Sequence, residues 1–247
     1  MKKFIKEQFE DYKLLLRSVP SLFVSLYVVS IIAMNLTANK SVNTGLSWLA
    51  LDCGFTVSWM SFLTMDTITK RFGPRAATKL SIMGVGINLL CCAIFFVISK
   101  IPGNWGEYYT FNDEIANKVL NNTFGGSWYV VFGSMTAFLT SAIVNNFLNS
   151  FIGKHLKNNN FKSFAIRSYI STAVGQFVDN LVFAIIVSYV LFGWNIIQVF
   201  VCALTGMLVE LICEVIFSPL GYKTVKQWEA DKVGQVYLDK HKVGGNN

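Results

Sequence analysis

Four acidic side chains, Asp52, Asp179, Glu210 and Glu214, fall inside long apolar runs with no lysine or arginine clearly at depth to neutralise them. A carboxylate in hydrocarbon is costly, so each either carries a proton or faces water, an ion or a substrate. Asp179 lies near the middle of its run, beside Asn180 and three residues after Gln176, a spacing that lets both project from one helix face onto one ligand. Glu210 and Glu214 are one turn apart on a shared face. Asp52 sits about 10 Å in from the outer end of its run, at 1.5 Å per residue. Asn35, Asn88, Asn145 and Asn146 add amides at similar depths. Such amides also join helices by hydrogen bonds of about 1 kcal/mol, and Asn88, Asn145 and Asn146 fit that simpler role too. Glu214, near its run's end, could equally reach the interface, and Asp66 beside Lys70 and Arg71 suits a helix-terminal charge network.

Six runs must position these groups: 20–38, 46–65, 80–99, 127–152, 165–192 and 195–217. Each is near the roughly 20 residues that a helix needs to cross a hydrocarbon core. None alternates in polarity as a barrel strand would. Of 247 residues 53% are hydrophobic and 14% charged, against about 25% charged in a soluble protein. That is too little charge to cover a soluble globule. The chain reads as an all-α integral membrane protein of six transmembrane helices and a single domain over 1–247, with an amphipathic segment at 1–19, the bundle at 20–217 and a tail at 218–247.

The net charge of +7 would suggest nucleic acid in a soluble protein. Here eighteen of the 21 basic residues fall in the N-terminal segment, the second and fourth loops and the C-terminal tail, leaving Lys40, Lys100 and Lys118 for the other side. This alternation follows the positive-inside rule, predicting both termini in the cytoplasm and no nucleic-acid partner. Residues 1–17 lack the apolar core of a signal peptide. Phe4, Ile5, Phe9, Tyr12, Leu15 and Leu16 at helical spacing suggest an amphipathic helix on the cytoplasmic face, a frayed tail being the alternative. In the loop at 100–126, Asn112-Asp113-Glu114 could start a short helix through Leu120, and Tyr108, Tyr109 and Phe111 could fold over a site or merely connect.

The five cysteines lie within spans in no metal or CxxC spacing, and His155 and His241 have no partner at metal spacing, so neither metal nor cofactor is expected. There is no GxSxG, HExxH or Walker loop, hence no enzyme and no ATP hydrolysis by this chain alone. Neither a repeated filter nor rings of like charge point to a pore. Buried acids and amides in a compact bundle suggest a small-solute transporter.

Ser171-Thr172-x-x-Gly175-x-x-x-Asp179-x-Leu181-x-Phe183 resembles a signature of the vitamin uptake transporter family, whose best-known members import queuosine precursors, the 7-deazaguanines. Asp66-x-x-x-Lys70-x-Phe72-Gly73, Asn35, and Pro219 with Tyr222 resemble three further features of that family in order along the chain. Where the family tends to carry an arginine, a Gln-x-x-Asp pair and a lysine, this chain has Tyr129, Ala142 with Asn145, and Val209. The resemblance implies a six-helix bundle similar to the substrate-binding subunits of energy-coupling-factor transporters, importing a deazapurine base across a bacterial inner membrane.

A deazaguanine edge offers a ring N–H and an exocyclic amine side by side, which a carboxylate can accept together. Asp179, Glu210 or Asp52 could accept them, Asn35 or Gln176 could donate to the carbonyl, Asn180 lies alongside, and Trp48, Trp128 or Phe183 could stack on the ring. Trp48 and Trp128, near span ends, fit an interfacial belt as well. Proton coupling and facilitated diffusion both remain open as driving forces, as do a homo-oligomer and a partner ATPase module. The alternatives are a substrate-capture subunit of an energy-coupling-factor transporter, for which Ser21-x-x-x-Ser25 would replace the usual alanine strip, and a non-transporting membrane scaffold.

Overall fold

A computed structural model describes residues 2–49, 51–106, 114–155 and 161–242. The first helix, α1 (Lys2–Ser18), buries Asp11 and Leu15 on one face and leaves Ile5, Phe9 and Leu16 exposed on the other. The chain then bends by 103° into α2 (Ser21–Thr37). Pro20 stands at this corner, where its missing N–H costs nothing because a helix start leaves it unpaired anyway. Its carbonyl receives the Phe23 N–H at 3.0 Å.

A two-residue antiparallel pair follows, β1 (Ser41–Val42) with β2 (Leu51–Asp52), Ser41 facing Asp52 and Val42 facing Leu51. Here the structure corrects the expected second span. The run at 46–65 does not begin as a helix; α3 covers Phe55–Phe72. The cause is local competition for backbone groups by short polar side chains. Asn43 Oδ1 accepts from Gly45 N at 3.0 Å, and Thr44 Oγ1 donates to the Leu49 carbonyl at 2.7 Å. Gly45 has φ 72°, a left-handed turn conformation that suits glycine. Asp52 therefore precedes α3 instead of lying inside it, and its Oδ1 accepts from Gly54 N at 2.7 Å.

Gly73 (φ 86°) ends α3, and Pro74 opens α4 (Pro74–Ile98). Helix α5 (Glu114–His155) is 42 residues long and absorbs the short helix expected near 112–120 into the fourth span. Tyr108, Tyr109 and Phe111 lie outside the described residues. Helix α6 (Phe161–Phe183) passes into a π-helical segment, Ala184–Tyr189, and a last α-turn, α7 (Val190–Phe192). Gly193 (φ 68°) closes it. Asn195 and Gln198 then cap each other reciprocally, Asn195 Oδ1 receiving Gln198 N and Gln198 Oε1 receiving Asn195 N, both at 2.9 Å. This capping box starts α8 (Ile196–Ala230), and α9 (Gln235–Lys242) ends the described chain.

Among the described residues three segments are long and apolar enough to cross a bilayer, Pro74–Ile98, Thr172–Phe192 and Ile196–Cys213. A fourth is added if α1 and α2 are taken together as one bent span. On α4, Ile82, Leu90, Ile94 and Val97 are exposed, as lipid contact requires. The chain is an all-helical, multi-pass membrane protein.

The chain forms two compact units. The first takes Met1–Ala33, Val57–Asn88 and Cys213–Asn247. Its core gathers Leu15, Ile68, Leu80 and Tyr237, with Trp228 edge-on to Phe23 at 4.6 Å between ring centroids. α1 packs on α9: buried Asp11 takes an ion pair from Lys79, and its Oδ1 receives Lys240 at 3.2 Å and lies 2.9 Å from His241 Nε2. Arg71 donates through Nε and Nη2 to the Val233 carbonyl at 3.1 and 2.8 Å, holding the turn before α9. The second unit takes Met34–Thr56 and Leu89–Ile212. Its main packing is α5 along α6, and Trp194, Ala184, Val199 and Cys202 form a small core near the α7–α8 turn.

Candidate functional site

All nine residues named as possible substrate contacts fall in the second unit, and four of them, Gln176, Asp179, Asn180 and Glu210, lie on or bond to one turn of α6. Gln176, Asp179 and Asn180 occupy one turn of α6, and Glu210 comes from α8. Asn180 Nδ2 donates to the Gln176 carbonyl at 2.9 Å and to Glu210 Oε2 at 3.1 Å. Both partners are acceptors, which fixes the orientation of the Asn180 amide. Ser141 on α5 donates to Asp179 Oδ1 at 2.9 Å. Three helices thus contribute polar groups to two hydrogen-bonded pairs centred on adjacent residues, Ser141 with Asp179 and Asn180 with Glu210.

Two residues of this set carry no signal in the sequence. Ser141 is one of many hydroxyl residues in apolar helices, and only the packing of α5 on α6 brings it to Asp179. Gly206 lies one turn before Glu210 on α8, and a Cβ there would stand 2.8 Å from Asn180 Oδ1 and 3.0 Å from its Cγ. The absence of that carbon lets the Asn180 amide lie against α8 and reach Glu210. The spacing Gly206-x-x-x-Glu210 puts the space and the carboxylate on one face, but it acquires meaning only once Asn180 is known to pack there.

The set is rich in acceptors and poor in bases. Glu210 is buried, and among the described residues no lysine or arginine forms an ion pair with Asp179 or Glu210. Each of the two carboxylates receives one protein hydrogen bond among the described residues. The Gln176 side-chain oxygen is buried with no hydrogen-bond partner. An unmet buried acceptor costs about 1–3 kcal/mol. Such a set is matched by a ligand bearing several N–H donors, or by protons on the acids. Among the described residues no three His, Cys, Asp or Glu side chains gather at metal-binding distance.

The other expected contacts are distributed differently. Asn35 is buried on α2. Asp52 holds the turn into α3 through Gly54. Trp48 is 51% exposed in the loop between β1 and β2, and the neighbouring Ser47 carbonyl receives Gln198 Nε2 at 3.0 Å. Trp128 is exposed as well. Phe183 packs with Ala38, Val130 and Val187, so its ring belongs to the apolar core of this unit. The side chains of Glu214, Asn145 and Asn146 lie outside the described residues. Tyr129, at the position where the resembled family tends to carry an arginine, donates its hydroxyl to the Ile186 carbonyl in the π-helical segment at 2.9 Å.

No curated protein and no solved structure matches the chain. Residues 52–224 match the family model described as "putative vitamin uptake transporter", a stretch that contains α3 to α7, most of α8 and every member of the α5–α6–α8 set. By that match the chain belongs to the vitamin uptake transporter family.

Proposed function

We propose that this transporter imports 7-deazaguanine-type queuosine precursors, or queuine, across a bacterial inner membrane, binding the base at Asp179, Glu210 and Gln176. One observation carries the proposal: Gln176 with a buried, unpartnered amide oxygen and Asp179 lie within one turn of α6, the adjacent Asn180 bonds Glu210 of α8, and among the described residues no lysine or arginine pairs with either acid. A guanine-like edge presents adjacent ring and exocyclic N–H donors, the complement of such a set. Asn180 holds the Glu210 carboxylate in place, and Ser141 does the same for Asp179. Neither Trp48 nor Phe183 is assigned a stacking role.

The membrane arrangement proposed is a six-helix bundle like the substrate-binding subunits of energy-coupling-factor transporters, with both termini in the cytoplasm. Support comes from the eighteen-to-three division of basic residues and from the packing of α1 on α9, which keeps the two terminal helices together. A buried carboxylate that takes up a proton together with the ligand would couple import to an inward proton gradient; facilitated diffusion is the alternative driving force.

The test is complementation of a strain that cannot synthesise queuosine, fed low concentrations of each precursor. Expression of this chain should restore queuosine in tRNA with at least one of them. TRNA without queuosine for every precursor, at confirmed membrane expression, would overturn the assignment.

A further inference from the structure

Away from the α5–α6–α8 set, the first unit contains an open cleft of about 580 Å³ between the α1–α2 corner and the turn joining α8 to α9. Arg17, Ser18 and Ser21 line one side, and Lys232, Gly234 and Gln235 the other. No acidic side chain lines it. Neither Arg17 nor Lys232 forms an ion pair among the described residues, and the nearby Glu229 is taken by Lys226 at 2.9 Å. The start of α2 at Ser21 adds the positive end of a helix dipole. Lys232 has φ 53°, the one non-glycine residue in the left-handed region among those described. A lysine is an uncommon choice there, where asparagine or glycine is easily accommodated.

The rim is apolar. Leu16 and Val236 of the lining, and Leu22 next to Ser21, are 41, 70 and 64% exposed, and Leu16 continues the exposed stripe of Ile5 and Phe9 along α1. Unpaired cations inside and uncovered aliphatic side chains outside call for a ligand with the reverse arrangement, an anionic head joined to a hydrocarbon tail. A free anion would leave the rim in water, and an uncharged lipid would leave Arg17 and Lys232 without a partner.

We infer that this cleft binds the phosphate of an anionic phospholipid, with Arg17 and Lys232 as the headgroup contacts and Leu16, Leu22 and Val236 against the acyl chains. The α1 stripe then lies along the same leaflet. A basic residue near an anionic membrane surface contributes enough to change binding by roughly fivefold. The site is independent of the transported solute.

The experiment uses the full chain, purified and exchanged into nanodiscs or detergent containing phosphatidylglycerol or phosphatidylcholine, with retained lipid counted by native mass spectrometry. Phosphatidylglycerol should be retained preferentially, with retention falling roughly fivefold in Arg17→Gln and in Lys232→Gln and further in the double variant. Lys223→Gln, on exposed α8 surface outside the cleft, should retain lipid like the wild type. Millimolar inorganic phosphate should leave the bound lipid in place. Equal retention of phosphatidylcholine, no effect of the two substitutions, or an effect of Lys223→Gln as large as theirs would overturn the inference. Displacement by inorganic phosphate would instead identify a soluble-anion site and reject the lipid.

Discussion

Replacing Gly206 by alanine adds one methyl group, and its consequences follow from three distances. The new carbon would lie 2.8 Å from Asn180 Oδ1, 3.0 Å from Cγ and 3.3 Å from Nδ2, where ordinary contact begins at 3.4 Å. Relief requires the amide to retreat from α8 by about 0.6 Å, the shortfall at Oδ1. Its bond to Glu210, 3.1 Å at rest, would stretch toward about 3.7 Å, beyond hydrogen-bond range. A hydrogen bond to a charged group contributes about 1.5–3 kcal/mol, so uptake at low substrate concentration should fall roughly 10- to 100-fold. Folding should suffer much less, because alanine favours a helix interior over glycine by about 1 kcal/mol, which offsets part of the strain. Tracer uptake in vesicles, read beside the thermal midpoint of the purified protein, separates the two effects. The variant in an Asn180→Ala background is the sharper control: if Gly206 acts through Asn180, adding the methyl there should change uptake no further. Wild-type uptake in Gly206→Ala, or the same loss with and without Asn180, would refute the reasoning.

Ser141→Ala removes the donor to Asp179 and should weaken substrate binding by about 1 kcal/mol, near fivefold, without loss of expression; an unchanged apparent KM would count against that bond. Gly234→Ala should destabilise the protein by more than 2 kcal/mol or so, since its φ is 68° and a Cβ would overlap the Phe72 ring and stand 3.2 Å from the Ser18 carbonyl; a thermal midpoint within a degree of wild type would contradict this. Burial acts to raise the Asp11 carboxyl, but hydrogen bonds from Lys79 and Lys240 and the charges of His241 and Lys79 outweigh it and leave it below the usual carboxylate value. Because the folded value is the lower one, the stabilisation is complete above the unfolded value of about 4 and is lost as pH falls through the folded value. Thermal midpoints of wild type and Asp11→Asn should therefore differ at pH 7 and draw together as pH falls below about 4; a gap that stays undiminished as the medium is acidified below that value would exclude Asp11 as its source.

Helices α2, α4 and α8 are legible in the sequence because each contains an uncharged run that no local hydrogen bond interrupts. The start of α3 is not. Hydropathy averages over Trp48 and Leu49 as readily as over Phe55 and Val57, whereas Thr44, Gly45 and Asp52 decide the outcome through individual backbone contacts. That error placed Asp52 and Trp48 inside a helix that begins only at Phe55. Within the site, Asp179, Asn180, Gln176 and Glu210 stand out because ionisable and amide groups are rare in apolar helices. Ser141 and Gly206 do not, since a hydroxyl or a missing side chain gains its role from the facing helix. Phe183 stands out in the sequence as an aromatic within the resembled signature, and its packing against Ala38, Val130 and Val187 is visible only in the fold.

The central claim is that the carboxylates of Asp179 on α6 and Glu210 on α8 read the donor edge of the transported base. It is tested most directly by calorimetric binding of a 7-deazaguanine and of its analogue lacking the exocyclic amine, to the wild type and to Asp179→Asn. Removing the amine should cost the wild type at least about tenfold in affinity, the value of a hydrogen bond to a charged acceptor, and cost Asp179→Asn little more. An equal loss in both proteins, or wild-type affinity for the full base in Asp179→Asn, would contradict the claim.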